Sequence, residues 1–424
     1  MEFIEPYWVG IVIVFLIGYL IIVFEHHAKI NKTAIALLTA VICWVIYFIG
    51  STTSYDENIG QLGHHLSEVA QIVFFLIGAM TLVELIDSHQ GFKVITDKMH
   101  SQSKRKMLWM IAFVSFFLSS VLDNLTTTIL MVSFVRKLVE DRADRLILGC
   151  VIVIAANSGG AWTPIGDVTT TMLWINGQLS SLAVMKALFI PSMVSMLIPL
   201  IYFTLITKGK HSPISKKYLS TKVEPGAGLI LVLGLTGLVC VPLFKALTGL
   251  PPFMGVIFAL GALWLVTDLM HHKYSERQHL RVPHVLTRVD ISGVLFFLGI
   301  LLCVDALQSA GILKVVANSL FAAFPSQTMI ANILGLFSAV IDNVPLVAAT
   351  IGMYPLEQFP QDSTFWHMIA YAAGTGGSIL IIGSAAGVAL MGLEKVDFIS
   401  YLRKATLPAF LGYIIGMGAY LLLS

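Results

Sequence analysis

The chain has 424 residues, 57% of them apolar and only 12% charged, with a formal net charge of +2. Soluble domains carry roughly 25% charged residues, so a soluble enzyme and a nucleic-acid-binding protein are both excluded. The roughly 240 apolar side chains suffice for ten to twelve membrane crossings at about 20 residues each.

In chain order the first apolar run, 7–24, follows Glu2 and Glu5 rather than a basic segment and ends in Glu25-His26-His27 without a small-residue cleavage site. It reads as a membrane helix that starts outside, not as a secretory leader. The runs 33–50, 69–86, 107–135, 146–175 and 184–206 follow. A polar, lysine-bearing stretch, 207–224, reads as a cytoplasmic linker. Beyond it lie 226–244, 252–270, 291–312, 329–353, 365–391 and 399–423. Cys43, Cys150, Cys240 and Cys303 stand singly inside these runs, which suggests neither a disulfide framework nor a zinc site. No cofactor is implied. His26, His27, His64, His65, His271 and His272 fall in adjacent pairs near membrane boundaries and read as solvated faces.

Two runs carry Asp-Asn at mid-length, and the basic residues decide how they lie. If 107–135 and 329–353 each cross once, the 26 Lys and Arg divide 13 to 13 between the two sides. If each is a hairpin returning to its own side, 23 fall on one side and only Lys186, Lys245 and Lys314 on the other, as the positive-inside rule requires. The hairpin arms hold 16, 11, 13 and 10 residues. At about 1.5 Å per residue they fall short of a hydrocarbon core of roughly 30 Å, so both are expected to be re-entrant. Ten spans then leave both termini outside.

The halves repeat. Phe75-Leu76-Ile77-Gly78 corresponds to Phe296-Phe297-Leu298-Gly299, each six residues before an acid, Glu84 and Asp305. Ser119-Ser120-Val121-Leu122-Asp123-Asn124 corresponds to Ser338-Ala339-Val340-Ile341-Asp342-Asn343. Asn157-Ser158-Gly159-Gly160 and Gly166 correspond to Gly374-Thr375-Gly376-Gly377 and Gly383. Five full spans per half is an odd number, so the second half inserts upside down. The expectation is an all-α polytopic membrane protein of two inverted repeats, 1–206 and 225–424. Each has five transmembrane helices, one re-entrant helical hairpin and one broken helix (146–175 and 365–391). Inverted repeats with helices broken at the midplane are the build of secondary transporters.

Four polar segments should meet at the centre. Asp123 and Asp342 are good helix N-caps at the hairpin tips. Asn157-Ser158-Gly159-Gly160-Ala161-Trp162-Thr163-Pro164-Ile165-Gly166-Asp167 frees the backbone, with Pro164 suited to the first position of a restarting helix. Carboxylate, amide, hydroxyl and carbonyl oxygens are what a small hard cation takes up. Asp123, Asp167 and Asp342 supply three acids, and no Lys or Arg falls in these segments. A carboxylate in a dry site holds a proton or a metal cation but not both, the physical content of cation/proton exchange. The ion-binding and proton-exchanging residues are therefore read as Asp123, Asp167 and Asp342, with Na+ at Asp123, Asn124, Asp342 and Asn343. Thr126, Thr127, Asn157, Ser158, Thr163, Thr375 and Ser384 are read as supporting them, and Glu84 and Asp305 as coupling acids.

These motifs resemble the NhaD-type sodium/proton antiporters of the ion transporter superfamily, in particular Leu122 to Thr128, Asn157 to Thr169 and Ile341 to Pro345. The resemblance implies exchange of Na+ or Li+ for H+ across a bacterial inner membrane, and frequent homodimers. Carboxylate-carrying members of that superfamily place Ser-Asn-Thr at the tips, where this chain has Asp123 and Asp342. Its second break reads Leu380-Ile381-Ile382-Gly383-Ser384 and lacks the Thr-Pro-Ile-Gly-Asp pattern of the first. An arsenite or carboxylate carrier is the alternative. An intramembrane aspartyl protease would want Gly-x-Gly-Asp, and Thr163-Pro164-Ile165-Gly166-Asp167 does not supply it.

Overall fold

The structure, a computed structural model, describes residues 6–23, 30–96, 101, 103–209, 224–324 and 326–424. His26 and His27, and most of the expected linker, lie outside the described residues. Among the described residues the protein is all helix, and eight helices are long and apolar enough to cross a membrane.

Helix α1 (Pro6–Val23) and α2 (Lys32–Gly50) lead into α3 (Tyr55–Ser88). Helix α4 (Lys104–Ser119) and α5 (Asn124–Leu138) form the first Asp-Asn pair. The first broken helix is α6 (Arg142–Ala161) with α7 (Val168–Ile175), followed by α8 (Ser181–Ile206). Next come α9 (Ala227–Thr248), α10 (Pro252–His271), α11 (Ile291–Ser309) and α12 (Ile312–Ala323). Helices α13 (Gln327–Phe337) and α14 (Asn343–Met353) form the second pair, and α15 (Thr364–Gly376) with α16 (Ala385–Glu394) the second broken helix. The chain ends in α17 (Phe398–Leu423).

Most expected runs lie within one of these elements, and the departures have local causes. The third run begins well before residue 69. Ser54 caps it, and Asp56 and Glu57 favour the positive end of a helix, so the polar stretch stays helical and α3 reaches 34 residues. The run 291–312 stops at Ser309, because Gly311 at φ 75° turns the chain into α12, a short helix the apolar runs did not reveal. Pro164 does not restart a helix: it lies in the turn, and α7 begins at Val168 under an Asp167 cap. A π-helical segment, Leu402–Thr406, interrupts α17.

The packing falls into two sets. Helices α1, α2, α3, α9, α10 and α11 pack chiefly among themselves, and α9 and α10 turn Val232, Leu247, Phe258 and Leu265 outward as lipid-facing helices do. In the second set α4 lies on α6 as α13 lies on α15, and α5 on α16 as α14 on α7. Across the middle α6 meets α15 and α8 meets α17. Lipid tails are as apolar as leucine, so close backbone approach carries much of this packing. A Cβ at Gly159 would strike the Phe116 carbonyl, and one at Gly376 the Gly335 carbonyl. The two glycines occupy corresponding positions in the two halves.

Two of the histidine pairs, His64-His65 and His271-His272, depart in part from solvated faces. His65 is buried, its Nδ1 3.5 Å from the Asp305 carboxylate and its Nε2 3.1 Å from the Ser309 hydroxyl. His271 is buried with its Nε2 3.1 Å from that of His89. Adjacent residues on a helix point about 100° apart, so one member of each pair turns inward while the other stays wet.

Candidate functional site: four helix breaks at the centre

Each of the four breaks ends in an N-cap. Asp123 caps α5, Asp167 caps α7, Asp342 caps α14 and Ser384 caps α16. Four helices therefore aim their positive ends at the centre, and four others, α4, α6, α13 and α15, bring their carbonyl ends there. Such irregular backbone is tolerated at membrane depth only where protein or a cavity surrounds it.

The first half is densely bonded. The Asp123 carboxylate accepts from the Thr126 amide (2.7 Å) and the Thr126 hydroxyl (2.8 Å). Asp123 itself stands at φ 139°, a conformation that costs a non-glycine residue on the order of 1–3 kcal/mol. The Thr163 hydroxyl donates to the Ser120 carbonyl (2.7 Å) and ties the hairpin tip to the broken helix. Asp167 is buried and accepts on Oδ1 from the amide and hydroxyl of Thr169 (2.9 and 2.7 Å). Its other oxygen accepts from Asn124 Nδ2 at 2.7 Å.

Asn124 and Asn157 extend this bonding into the second half. Asn124 Nδ2 also donates to Asn157 Oδ1 (3.0 Å), and Asn157 Nδ2 donates to the hydroxyls of Ser378 and Ser384, both at 2.9 Å. A continuous buried chain thus runs from Asp167 through two asparagines to two serines on the opposite broken helix. Asp123 and Asp342 cap the helices at the other two acid-bearing breaks. The three carboxylates nonetheless do not close on one another: among the described residues no three His, Cys, Asp or Glu side chains gather as a metal chelate would need.

The second tip is sparer. Asp342 stands at a relaxed φ of −49°, and its carboxylate accepts one bond, from the Val344 amide at 3.2 Å. The Tyr19 hydroxyl of α1 lies against the Asp342 backbone. Asn343 is buried, and its Nδ2 has no partner among the described residues.

Several expected site residues serve elsewhere. Ser158 donates to Ser195 (3.3 Å), and Thr375 bonds back to the Tyr371 carbonyl within its own helix (2.6 Å). The buried hydroxyls of Thr127 and Thr128 have no hydrogen-bond partner among the described residues. No hydrogen bond links Glu84 or Asp305 to the central chain among the described residues. Arg288 lies 3.9 Å from Glu84, and Asp305 faces His65. Sequence reasoning missed Thr169, Ser378 and Tyr19. Thr169 carried a legible signal, a hydroxyl two residues past an N-cap Asp. Ser378 follows the second Gly pair where the first half has Ala161, so the repeat pointed away from it. Tyr19 is brought in by tertiary packing alone.

The profile of a family described as citrate transporter matches residues 19–369. "Sodium/proton antiporter 1" of Arabidopsis thaliana is 55% identical over 97% of this chain and 72% of its own. "Sodium/proton antiporter 2" of the same plant is 52% identical over 96% of this chain and 98% of its own. "Na(+)/H(+) antiporter NhaD" of Vibrio cholerae is 32% identical over 97% of this chain and 91% of its own. Matched over nearly its whole length by these proteins, the chain belongs to the NhaD-type sodium/proton antiporters, a family of multi-span membrane transporters and not of enzymes.

Proposed function

We propose that the protein exchanges cytoplasmic Na+ or Li+ for external H+, and that Asp123, Asp167 and Asp342 are the groups for which the two ions compete. One observation carries this: the buried chain Asp167–Asn124–Asn157–Ser378/Ser384, built of oxygens and amides from both halves, with no Lys or Arg in any of its segments. Protonated carboxyls repel no neighbour and need no counter-ion, whereas ionised ones attract a cation, so each ion displaces the other. Na+ binds between the two tips, at Asp123, Asn124, Asp342 and Asn343, where two of the helix breaks offer side-chain oxygens. Glu84 and Asp305 are accessory acids outside this exchanging centre. The names of the relatives at 32–55% identity support sodium and proton as the ions.

The halves are proposed as inverted repeats with re-entrant hairpins. The matched helix pairs support this, as do two equivalent bonds, Ser119 Oγ to the Ala156 carbonyl (2.7 Å) and Ser338 Oγ to the Ala373 carbonyl (2.9 Å). Hairpins and broken helices move as one unit past the remaining spans. Glu394, at the end of α16, favours that: it pairs with Arg136 of α5 (3.3 Å) and Arg145 of α6 (3.0 Å), clamping three of the moving elements together. A membrane that holds a proton gradient is required. The NhaD relatives point to a bacterial inner membrane, and the plant relatives show that eukaryotes use the same kind of protein.

The test is dissipation of a pH gradient by NaCl or LiCl in everted vesicles holding the protein. A Na+- and Li+-dependent response across pH 7 to 9.5 is expected. No response to either cation, together with sodium-dependent uptake of labelled citrate, would replace exchange with anion transport.

A further inference from the structure

A cavity of about 550 Å³ lies between α3 and α5, outside the central chain. One wall is a single helical stripe of α5: Thr126, Ile129, Leu130, Ser133 and Lys137 at steps of three and four. The other is the corresponding stripe of α3, which brings Glu84 and Asp87 to the cavity. At its inner end is Thr126, whose amide and hydroxyl hold the Asp123 carboxylate. Its outer end has Arg288 and Asp290, on the side that collects the basic loops. At roughly 30 Å³ per water the space holds on the order of 15 to 20 molecules, enough to carry a hydrated ion. Ile129, halfway along the stripe, is exposed although its helix belongs to the central set.

We propose that this cavity is the water-filled path by which a monovalent cation travels between the basic-loop side and the Asp123 tip, and that Glu84 and Asp87 are positioning residues that recruit it. The proposal rests on the exchange of cations argued above and adds the route, the side and two specific carboxylates. Glu84 and Asp87 stand three residues apart on one face of α3, so both carboxylates reach the same stretch of path. Arg288 lies 3.9 Å from Glu84 and 3.2 Å from the Ser88 hydroxyl. Lys93, Lys137 and Arg288 match Glu84, Asp87 and Asp290 in number around the cavity, so a cation drawn to the Glu84–Asp87 pair is not trapped there. The geometry also leaves the two tips unequal, since Tyr19 lies against Asp342 while Thr126 opens on the cavity.

The experiment uses the full-length protein with Cys43, Cys150, Cys240 and Cys303 replaced, carrying Ser133→Cys or, as a second variant, Ile129→Cys. Membrane-impermeant charged methanethiosulfonates are added to everted and to right-side-out vesicles. Modification is expected in everted vesicles only, with at least a tenfold loss of Na+-driven exchange. The cationic reagent should react several-fold faster than the anionic one, a preference that Glu84→Gln with Asp87→Asn removes. Each of those single substitutions should raise the half-saturating Na+ concentration about three- to tenfold, with the maximal rate within twofold. Exchange that continues unchanged after both positions are modified, or cysteines that react only from the opposite side, would overturn the path. If the unmodified parent shows no Na+ response, the exchange reading falls. Labelling of Ser133→Cys in everted vesicles would still establish the cavity as open to that side.

Discussion

The two hairpin tips share Asp-Asn in sequence and differ in nearly everything around it. Asp123 sits at φ 139° and is held by two bonds from Thr126, beside an Asn124 that donates to both Asn157 and Asp167. Asp342 sits at φ −49° with one 3.2 Å bond, beside an Asn343 whose amide nitrogen is unpartnered. One tip is wired and strained; the other is relaxed and keeps bonding capacity in reserve. A shared Asp-Asn frame is thus built out differently at the two tips, and a few differences, Asp167 against Ser384 above all, go with the half that holds the fixed network. Strain at a functional position persists only where surrounding bonds over-determine it.

The largest effect should come from the acids. Asp123→Asn and Asp342→Asn are each expected to lower Na+-driven exchange at least about 100-fold while the protein still inserts, because an amide neither ionises nor releases a proton. If only one of them does so, the two tips do not share the ion, and the residue that exchanges normally leaves the site. Sharper still is Asp167→Asn against Ser384→Ala, both measured in the same vesicles. The first removes a carboxylate held by three donors and should reduce exchange about 100-fold. The second removes one acceptor of Asn157, which keeps Ser378, and should cost less than about tenfold. Equal losses would mean that the broken helices contribute alike.

A smaller effect tests the wiring itself. Asn124→Ala leaves buried acceptors on Asn157 and Asp167 short of a donor and should destabilise the protein by about 1–3 kcal/mol. Asn343→Ala removes a nitrogen that has no partner and should cost clearly less, both read as thermal midpoints in detergent. A larger loss at Asn343 would reverse the comparison. The smallest effect concerns the shared frame: Ser119→Ala and Ser338→Ala each remove one hydroxyl-to-carbonyl bond and should each cost about 1 kcal/mol. A marked difference between them would show that even the frame has diverged.

Much of the architecture could be read before any coordinates. Apolar runs located most of the helices, since membrane depth forces about 20 apolar residues into each crossing. The matched Asp-Asn and Gly-Gly motifs located all four breaks. Pro164 misled, because a proline stabilises a turn as readily as a helix start, and the cap at Asp167 decided between them. The inward turn of His65 and His271 was illegible because an adjacent pair does not say which member faces the core.

By itself, then, the sequence determined where the apolar helices lie, where they break, and that acids stand at three of the four breaks in segments without Lys or Arg. Which breaks are joined was decided only in three dimensions. The bonds from Asn157 to Ser378 and Ser384 span 221 and 227 residues. The approach of Tyr19 to Asp342 spans 323 residues, further still. Hydropathy and capping act within a turn or two of helix. A buried side chain chooses its partner from whatever packing brings within about 3 Å, and no local pattern encodes that.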